Sequence, residues 1–339
     1  MSYIIYFLIY IILLLLIIFI SKKLKLYDSP GERKIHKNKV LNTSGLALYI
    51  FLFLIVSAHE FHYQIEEIIL FGSLVTLCGF FDDQKNLNPG VKLILILLPT
   101  GYLILNGYMI EDLGQYNILG IIHLGKFSLI FTLLACGLLI NSYNYIDGSD
   151  GLLLATVLIN LTYAIFLIAN PNAINILLIF LIPVFINLVF NLLPGQNSYK
   201  IFSGDGGSLF LGFFVSFLII VLYKIENIHP AYLIWICWYP VYDFLYVTIY
   251  RLINNKKFYT PDNIHLHHLI MDYTEKSQYV TLVLVSTINI FITITGYLVT
   301  KFFGEIYSLA YFFSFFWVYF YINLSLRKNL NKNLMEKNK

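Results

Sequence analysis

The chain has 339 residues, of which 59% are apolar or aromatic and only 12% charged, with a mean hydropathy of +0.75 and a net charge of +3. Charge at about half the share of a soluble domain excludes a disordered protein, a disulfide-rich secreted scaffold and an ordinary water-soluble enzyme, and so small a net charge gives no footing for nucleic-acid binding. What remains is a polytopic membrane protein.

A bilayer core takes about 20 apolar residues per helix. Eleven apolar runs follow one another, at roughly 3–20, 45–58, 66–81, 91–107, 127–143, 152–169, 174–193, 207–223, 231–249, 279–300 and 305–325. The first is followed by Lys22, Lys23 and Lys25 without a small-residue cleavage site, so it reads as a retained anchor. The runs interrupted by Pro99, Gly101 or Pro183 are short enough for one to be a re-entrant segment. The expected fold is an all-α polytopic integral membrane protein of about eleven transmembrane helices. It forms one domain over 1–326, followed by a basic tail at 327–339. Cys78, Cys136 and Cys237 each lie inside an apolar run, form no CxxC pair and read as small packing residues.

With eleven crossings the termini lie on opposite sides, and alternate loops divide the 22 Lys and Arg residues 19 to 3. The positive-inside rule then sets the C-terminus in the cytoplasm and the N-terminus outside. The aspartates follow the same division. Asp28, Asp82, Asp83, Asp147, Asp150, Asp205, Asp243, Asp262 and Asp272 fall on the cytoplasmic side, and Asp112 alone falls outside. Acidic residues contribute little to orientation, so this skew needs another cause. Short carboxylates gathered at one membrane face suit a hard cation or phosphate chemistry.

Taken in chain order, the polar clusters carry that chemistry. The basic loop after the first run holds Arg33, Lys34, His36 and Lys37, readable as topology signals or lipid-headgroup contacts. Asp82 and Asp83 end an inward-running helix, where the dipole and their mutual repulsion disfavour both charges. A divalent cation or a lysine reverses that cost, and Lys92, nine residues past Asp83, can return to the same face. In the next inward-running helix Asn141, Asn144, Asp147 and Asp150 recur every third residue and form one polar ridge if the turn stays helical, with Gly148 and Gly151 between. Asp205 lies among glycines at the start of an outward-running helix, whose free N–H groups favour an anion or a capping carboxylate; Asp205 itself is a candidate N-cap. Asp243 sits inside an apolar run as a functional candidate or a structural partner of Arg251. The last cytoplasmic loop holds His265, His267 and His268, without the cysteines or spacing of a structural zinc site; beside an anion such histidines act as donors or protonated clamps.

In this order the stretches DSPGERKIH (28–36), GFFDDQKNLNPGVK (79–92), NSYNYIDGSDGL (141–152), FSGDGGSLFLG (202–212) and PDNIHLHHL (261–269) resemble the polyprenyl-phosphate N-acetylhexosamine-1-phosphate transferase family. The likeness spans about 28 to 270, and the last two helices share only hydropathy and number. The HxHH ending resembles the bacterial branch that uses a simple UDP-N-acetylhexosamine. Leu41 and Ser44-Gly45 stand where relatives often carry Pro and Gly-Gly, and Asn263 where they often carry Arg or Lys.

The resemblance implies transfer of N-acetylhexosamine-1-phosphate from a UDP-sugar to undecaprenyl phosphate with release of UMP, at the cytoplasmic face of a bacterial inner membrane. It implies Mg²⁺, with Mn²⁺ as an alternative, held by Asp205 and Asn144. Asp82 and Asp83, as the paired aspartates, and Asp147 and His265 are the implied catalytic groups. Lys92 is implied as a pyrophosphate contact, Asp150 and Phe202 as uridine contacts, and Asn141, Arg33, Lys34, His36, His267 and His268 as further substrate contacts. Membrane lipid is an expected partner, a homodimer is allowed, and no nucleic acid is expected. The competing reading is a transporter or flippase of lipid-linked or anionic sugars, which would need polar groups near the bilayer midplane and repeated halves; the charges here fall at the membrane edge and no repeat is visible.

Overall fold

The computed structural model describes residues 3–28, 38–58, 65–255, 264–274 and 277–337, without the side chains of 331–337. Arg33, Lys34, His36 and Asp262 lie outside the described residues. The helices are α1 (Tyr3–Leu24), α2 (Ser44–Ala58), α3 (Ile65–Lys85), α4 (Pro89–Leu105), α5 (Ser128–Ile146), α6 (Leu152–Leu167), α7 (Pro171–Asn191), α8 (Gly204–Lys224), α9 (Pro230–Leu233), α10 (Trp238–Ile253), α11 (Leu266–Tyr273), α12 (Gln278–Phe303) and α13 (Glu305–Lys337). Two short antiparallel pairs complete the fold: β1 (Tyr27–Asp28) with β2 (Val40–Leu41), and β3 (Asp112–Tyr116) with β4 (Gly120–His123).

With α9 and α10 counted as one bent unit and α11 set aside, the helices coincide with the apolar runs of the sequence. Among the described residues six are long and apolar enough to span a bilayer, or seven with the bent pair. The helices α2, α4 and α6 are apolar but shorter, and α3 carries Glu66 and Glu67 in its first turn and Asp82, Asp83 and Lys85 at its end. The outer helices present large apolar side chains outward, among them Ile12 of α1, Phe291 of α12 and Tyr321 of α13. An exposed apolar surface of that extent belongs against lipid rather than water.

Capping residues fix several helix starts. Asn88 and Asn170 each accept the N–H two residues on, from Gly90 and Asn172, and each precedes a proline at the first helical position. The expected interruption lies elsewhere than the sequence suggests. Helices α4 and α7 run unbroken through Pro99 and Pro183, whereas the run 231–249 breaks, with α10 bent by 71° from the segment Pro230–Ile236. Pro240 sits just past that break. Its ring excludes a helical carbonyl at Ile236, but as third residue of α10 its missing N–H would be unpaired anyway.

The core is built around α8, whose span is the most enclosed of those long enough to cross a bilayer. It packs against α3, α5 and α2. Its N-terminal half is approached at backbone distance by two neighbours. A Cβ at Gly45 of α2 would lie 2.1 Å from Gly207 Cα, and one at Gly79 of α3 would lie 2.4 Å from the Asp205 carbonyl. The segment leading into α8 is pinned by β2 and α2. Phe202 N–H donates to Leu41 O, Ser44 N–H to Phe202 O and Gly45 N–H to Ser203 O.

Candidate active site

Successive helices alternate in direction, so one end of the bundle collects the last residues of α3, α5 and α7 and the first of α4, α6, α8 and α12. A cleft of about 310 Å³ opens there. Its walls include Asp28, Asp83, Asp147, Asp150, Phe202, Asp205, His268 and Gln278. Carboxylates from four stretches of the chain therefore meet at one bundle end, as the sequence skew implied.

Asp205 ties the cleft to a network of charges. Lys92 Nζ, on the first turns of α4, lies 2.7 Å from Asp82 Oδ2 and 2.5 Å from Asp205 Oδ2. This lysine is the one expected to return to the aspartate pair, and it offsets the repulsion at the end of α3. Asp82 Oδ1 also accepts the Leu87 N–H at 2.7 Å, which closes the α3–α4 turn. Asp83 turns to α8, where its Oδ2 accepts the Asp205 N–H at 3.0 Å. The free N–H groups of that helix start thus find their carboxylate on another helix. Asp205 is not the N-cap: it lies in the first turn of α8, with Ser203 as the flanking residue. Gly204 enters at φ +69°, and a Cβ there would lie 2.6 Å from Asp83 Oδ2, so glycine keeps this carboxylate-to-backbone contact open.

Asn144 donates to Asp205 Oδ1 at 3.0 Å and to Ser208 Oγ at 2.8 Å. Asn141, one turn earlier on α5, donates to Gly137 O at 2.7 Å and stands away from the cleft-lining groups. Asp147 ends α5 and keeps an open side toward the cleft. Its enclosure by protein elsewhere pushes its carboxyl well above the usual carboxylate range, and the charges of Asp205, Asp83, Asp150 and Asp28 add to the effect. Asp150 forms an ion pair with Lys200, and the Lys200 ammonium stands 5.4 Å from the centre of the Phe202 ring.

The histidines occupy one turn beside the cleft. His265 precedes α11, and its ring is stacked on His267 at 5.6 Å, while His267 and His268 are 4.2 Å apart. A Cβ at Gly148 would lie 2.8 Å from His267 Nε2, so the acidic turn and the histidine turn touch. His267 is fully buried, and among the described residues neither of its ring nitrogens has a hydrogen-bond partner. Burial, with repulsion from His268 and His265, holds it well below the usual histidine range. Asp243 turns to this group: His265 Nδ1 at 2.6 Å, Leu266 N–H at 2.9 Å and Tyr319 OH at 2.9 Å meet its carboxylate. Of the two readings offered for Asp243, the contacts lead to the histidine turn and not to the structural pair with Arg251.

Sequence reasoning missed Asn42, Asn191 and Gln278, which line the cleft, as well as Lys200 and Tyr319. Lys200, two residues before Phe202, had a signal, being a lysine at the mouth of an acidic cluster. The others are neutral side chains whose relevance exists only in three dimensions.

A family profile described as "Glycosyl transferase family 4" matches residues 66–223, the stretch from α3 through α8 that carries the charge network and the cleft carboxylates Asp83, Asp147, Asp150 and Asp205. Over that stretch, a little under half of its length, the chain is similar to this family. Among relatives of glycosyl transferase family 4 type, the Yersinia pestis "Undecaprenyl-phosphate alpha-N-acetylglucosaminyl 1-phosphate transferase" is 26% identical over 288 residues, covering 82% of this chain and 78% of the relative. The Escherichia coli (strain K12) protein of the same name is 26% identical over 287 residues, 79% of this chain and 76% of its own. The Bacillus subtilis (strain 168) "Probable undecaprenyl-phosphate N-acetylglucosaminyl 1-phosphate transferase" is 28% identical over 258 residues, 75% of this chain and 72% of its own. The apolar helices and the likeness to these relatives mark the chain as a multi-pass membrane protein similar to glycosyltransferases.

Proposed function

We propose that this protein transfers an N-acetylhexosamine-1-phosphate from a UDP-sugar to undecaprenyl phosphate, releasing UMP, as the first membrane step of a cell-envelope polysaccharide. The observation that carries the reading is the convergence of Asp83, Asp147, Asp150 and Asp205 in one cleft, with Lys92 paired to Asp205 behind its wall. The names of the relatives support the acceptor and the sugar phosphate.

The acceptor phosphate is already anionic at neutral pH, so the main tasks are to hold two anions together and to neutralise charge on the leaving phosphate. Lys92, paired with the cleft-lining Asp205, would turn its ammonium to a phosphate oxygen of the bound substrate. Phe202 offers a flat apolar face for a base ring, with Asp150 beside it as an acceptor for the base's N–H. Lys200 fixes that acceptor in place. Asp83, anchored on the start of α8, holds the Asp205 backbone still while the Asp205 side chain faces the cleft.

The donor set suits Mg²⁺. It consists of hard oxygens, and among the described residues no group of three or more His, Cys, Asp or Glu is arranged to cage a metal. A site of one carboxylate and one amide, with the rest of the shell supplied by substrate phosphates and water, is the usual Mg²⁺ arrangement. Asp205 and Asn144 would hold the ion. When bound it would supply electrostatic stabilisation of the charge developing on the departing UMP phosphate.

In the same reading the eleven apolar segments all cross the bilayer, with the N-terminus outside and the cleft at the cytoplasmic face of the inner membrane. The direct test incubates purified protein with undecaprenyl phosphate, Mg²⁺ and a panel of UDP-sugars, with products read by mass spectrometry. A lipid diphosphosugar and UMP are expected with at least one UDP-N-acetylhexosamine. No product from any of them, in protein that remains monodisperse and folded, would refute the proposal.

A further inference from the structure

The Asp243 carboxylate lies inside α10 with no exposed surface. A buried carboxylate is costly unless several donors meet it, and here three do, each from a different place. The two oxygens have separable tasks. Oδ1 accepts the N–H of Leu266, the first residue of α11, and the hydroxyl of Tyr319 from α13, both at 2.9 Å. Oδ2 faces His265 Nδ1 at 2.6 Å. A carboxylate there accepts only, so His265 Nδ1 carries a proton and donates it. From His265 the contacts continue into the site: His265 stacks on His267, His267 abuts His268, and His268 lines the cleft.

We propose that Asp243 and Tyr319 form a buried brace that positions His265, and with it the histidine turn, for the transfer reaction. Asp243 is a positioning residue that acts through His265. The last helix, which the sequence resemblance leaves without a role, enters the site's support through Tyr319. The inference rests on the function proposed above.

The substitution Asp243→Asn separates the two tasks. An asparagine keeps an oxygen for the Leu266 N–H but loses the charge that holds and orients the His265 Nδ1–H. The expected result is a kcat lowered by at least about tenfold, on the order of general acid–base or orienting effects, with the KM for the UDP-sugar within about twofold of the original. Asp243→Ala also removes the anchor of α11, and there the KM rises as well. In a His265→Ala background Asp243→Asn should cost no further activity, because its route is already gone. An unchanged kcat in Asp243→Asn overturns the proposal, as does an equal cost in both backgrounds. Should Asp243→Asn not fold, Tyr319→Phe removes a single hydroxyl; a loss of about threefold or more in kcat, absent in the His265→Ala background, supports the brace, and an unchanged kcat overturns it. Thermal unfolding of the single and double variants reads the same coupling without substrate. Wild-type protein that turns over no UDP-sugar therefore defeats the functional reading alone, while additive thermal shifts defeat the brace alone.

Discussion

Gly79→Ala is the sharpest perturbation of the site that leaves every polar group in place. A Cβ at Gly79 would stand 2.4 Å from the carbonyl carbon and oxygen of Asp205 and from the Gly206 nitrogen. These are backbone atoms at the start of the most enclosed spanning helix, so no side chain can swing aside. Ordinary contact begins near 3.4 Å, and α3 must therefore move about 1 Å from α8, at the general cost of overpacking, about 1–3 kcal/mol. The same shift separates Asp82 and Asp83, on α3, from Asp205, on α8. The Asp83–Asp205 N–H bond of 3.0 Å and the Lys92 bridge between Asp82 and Asp205 cannot both survive it. Misplacement by 1 Å at a reacting centre commonly costs about 10²-fold. Turnover by Gly79→Ala should fall by about that factor, with the unfolding temperature lowered by only a few degrees. Gly101→Ala is the control: the nearest atom to its Cβ is 4.0 Å away, and alanine is the better helix former, so activity and stability should hold or improve. Wild-type turnover by Gly79→Ala at an unchanged unfolding temperature would refute the claim that backbone contact between α3 and α8 sets the site.

Asp205→Asn should abolish Mg²⁺-dependent turnover without loss of protein from the membrane, checked by titrating Mg²⁺ against activity in membranes with matched protein content. Lys92→Met leaves Asp82 and Asp205 facing each other without their cation. Its unfolding temperature without divalent ions should drop, with part of the loss restored by Mg²⁺, as a thermal scan with and without Mg²⁺ would read. His267 is held below its ordinary pKa of 6.5, so the unfolded chain takes up the proton first as pH falls. Stability should therefore decline as pH drops through 6.5 and level off below the folded pKa, with a slope of up to about 1.4 kcal/mol per pH unit. In His267→Leu that part of the acid-side decline should vanish; equal pH dependence in both proteins would refute the assignment. Lys200→Met should raise the KM for the UDP-sugar more than it lowers kcat, since Asp150 loses the ammonium that fixes it, and steady-state kinetics decide the point.

The sequence by itself determined the class of fold, the position of nearly every helix and the end of the bundle where chemistry gathers. Runs of apolar residues as long as a bilayer is thick have one stable conformation there, because every backbone hydrogen bond must close within the segment. Alternation of direction then follows from short connections, which is why Asp82, Asp83, Asp147, Asp150 and Asp205 could be assigned to one face before any coordinates. The tertiary structure alone decided how those groups pair. That Asp83 caps α8 while Asp82 meets Lys92, that Lys200 takes Asp150, and that Asp243 reaches His265 and Tyr319 depend on side-chain directions and on glycine contacts between helices. Neither quantity is local to the chain. The break before α10 was hidden for a related reason. Pro99, Pro183 and Pro240 all lie in apolar runs and look alike in sequence, and only the packing around each decides whether its helix bends.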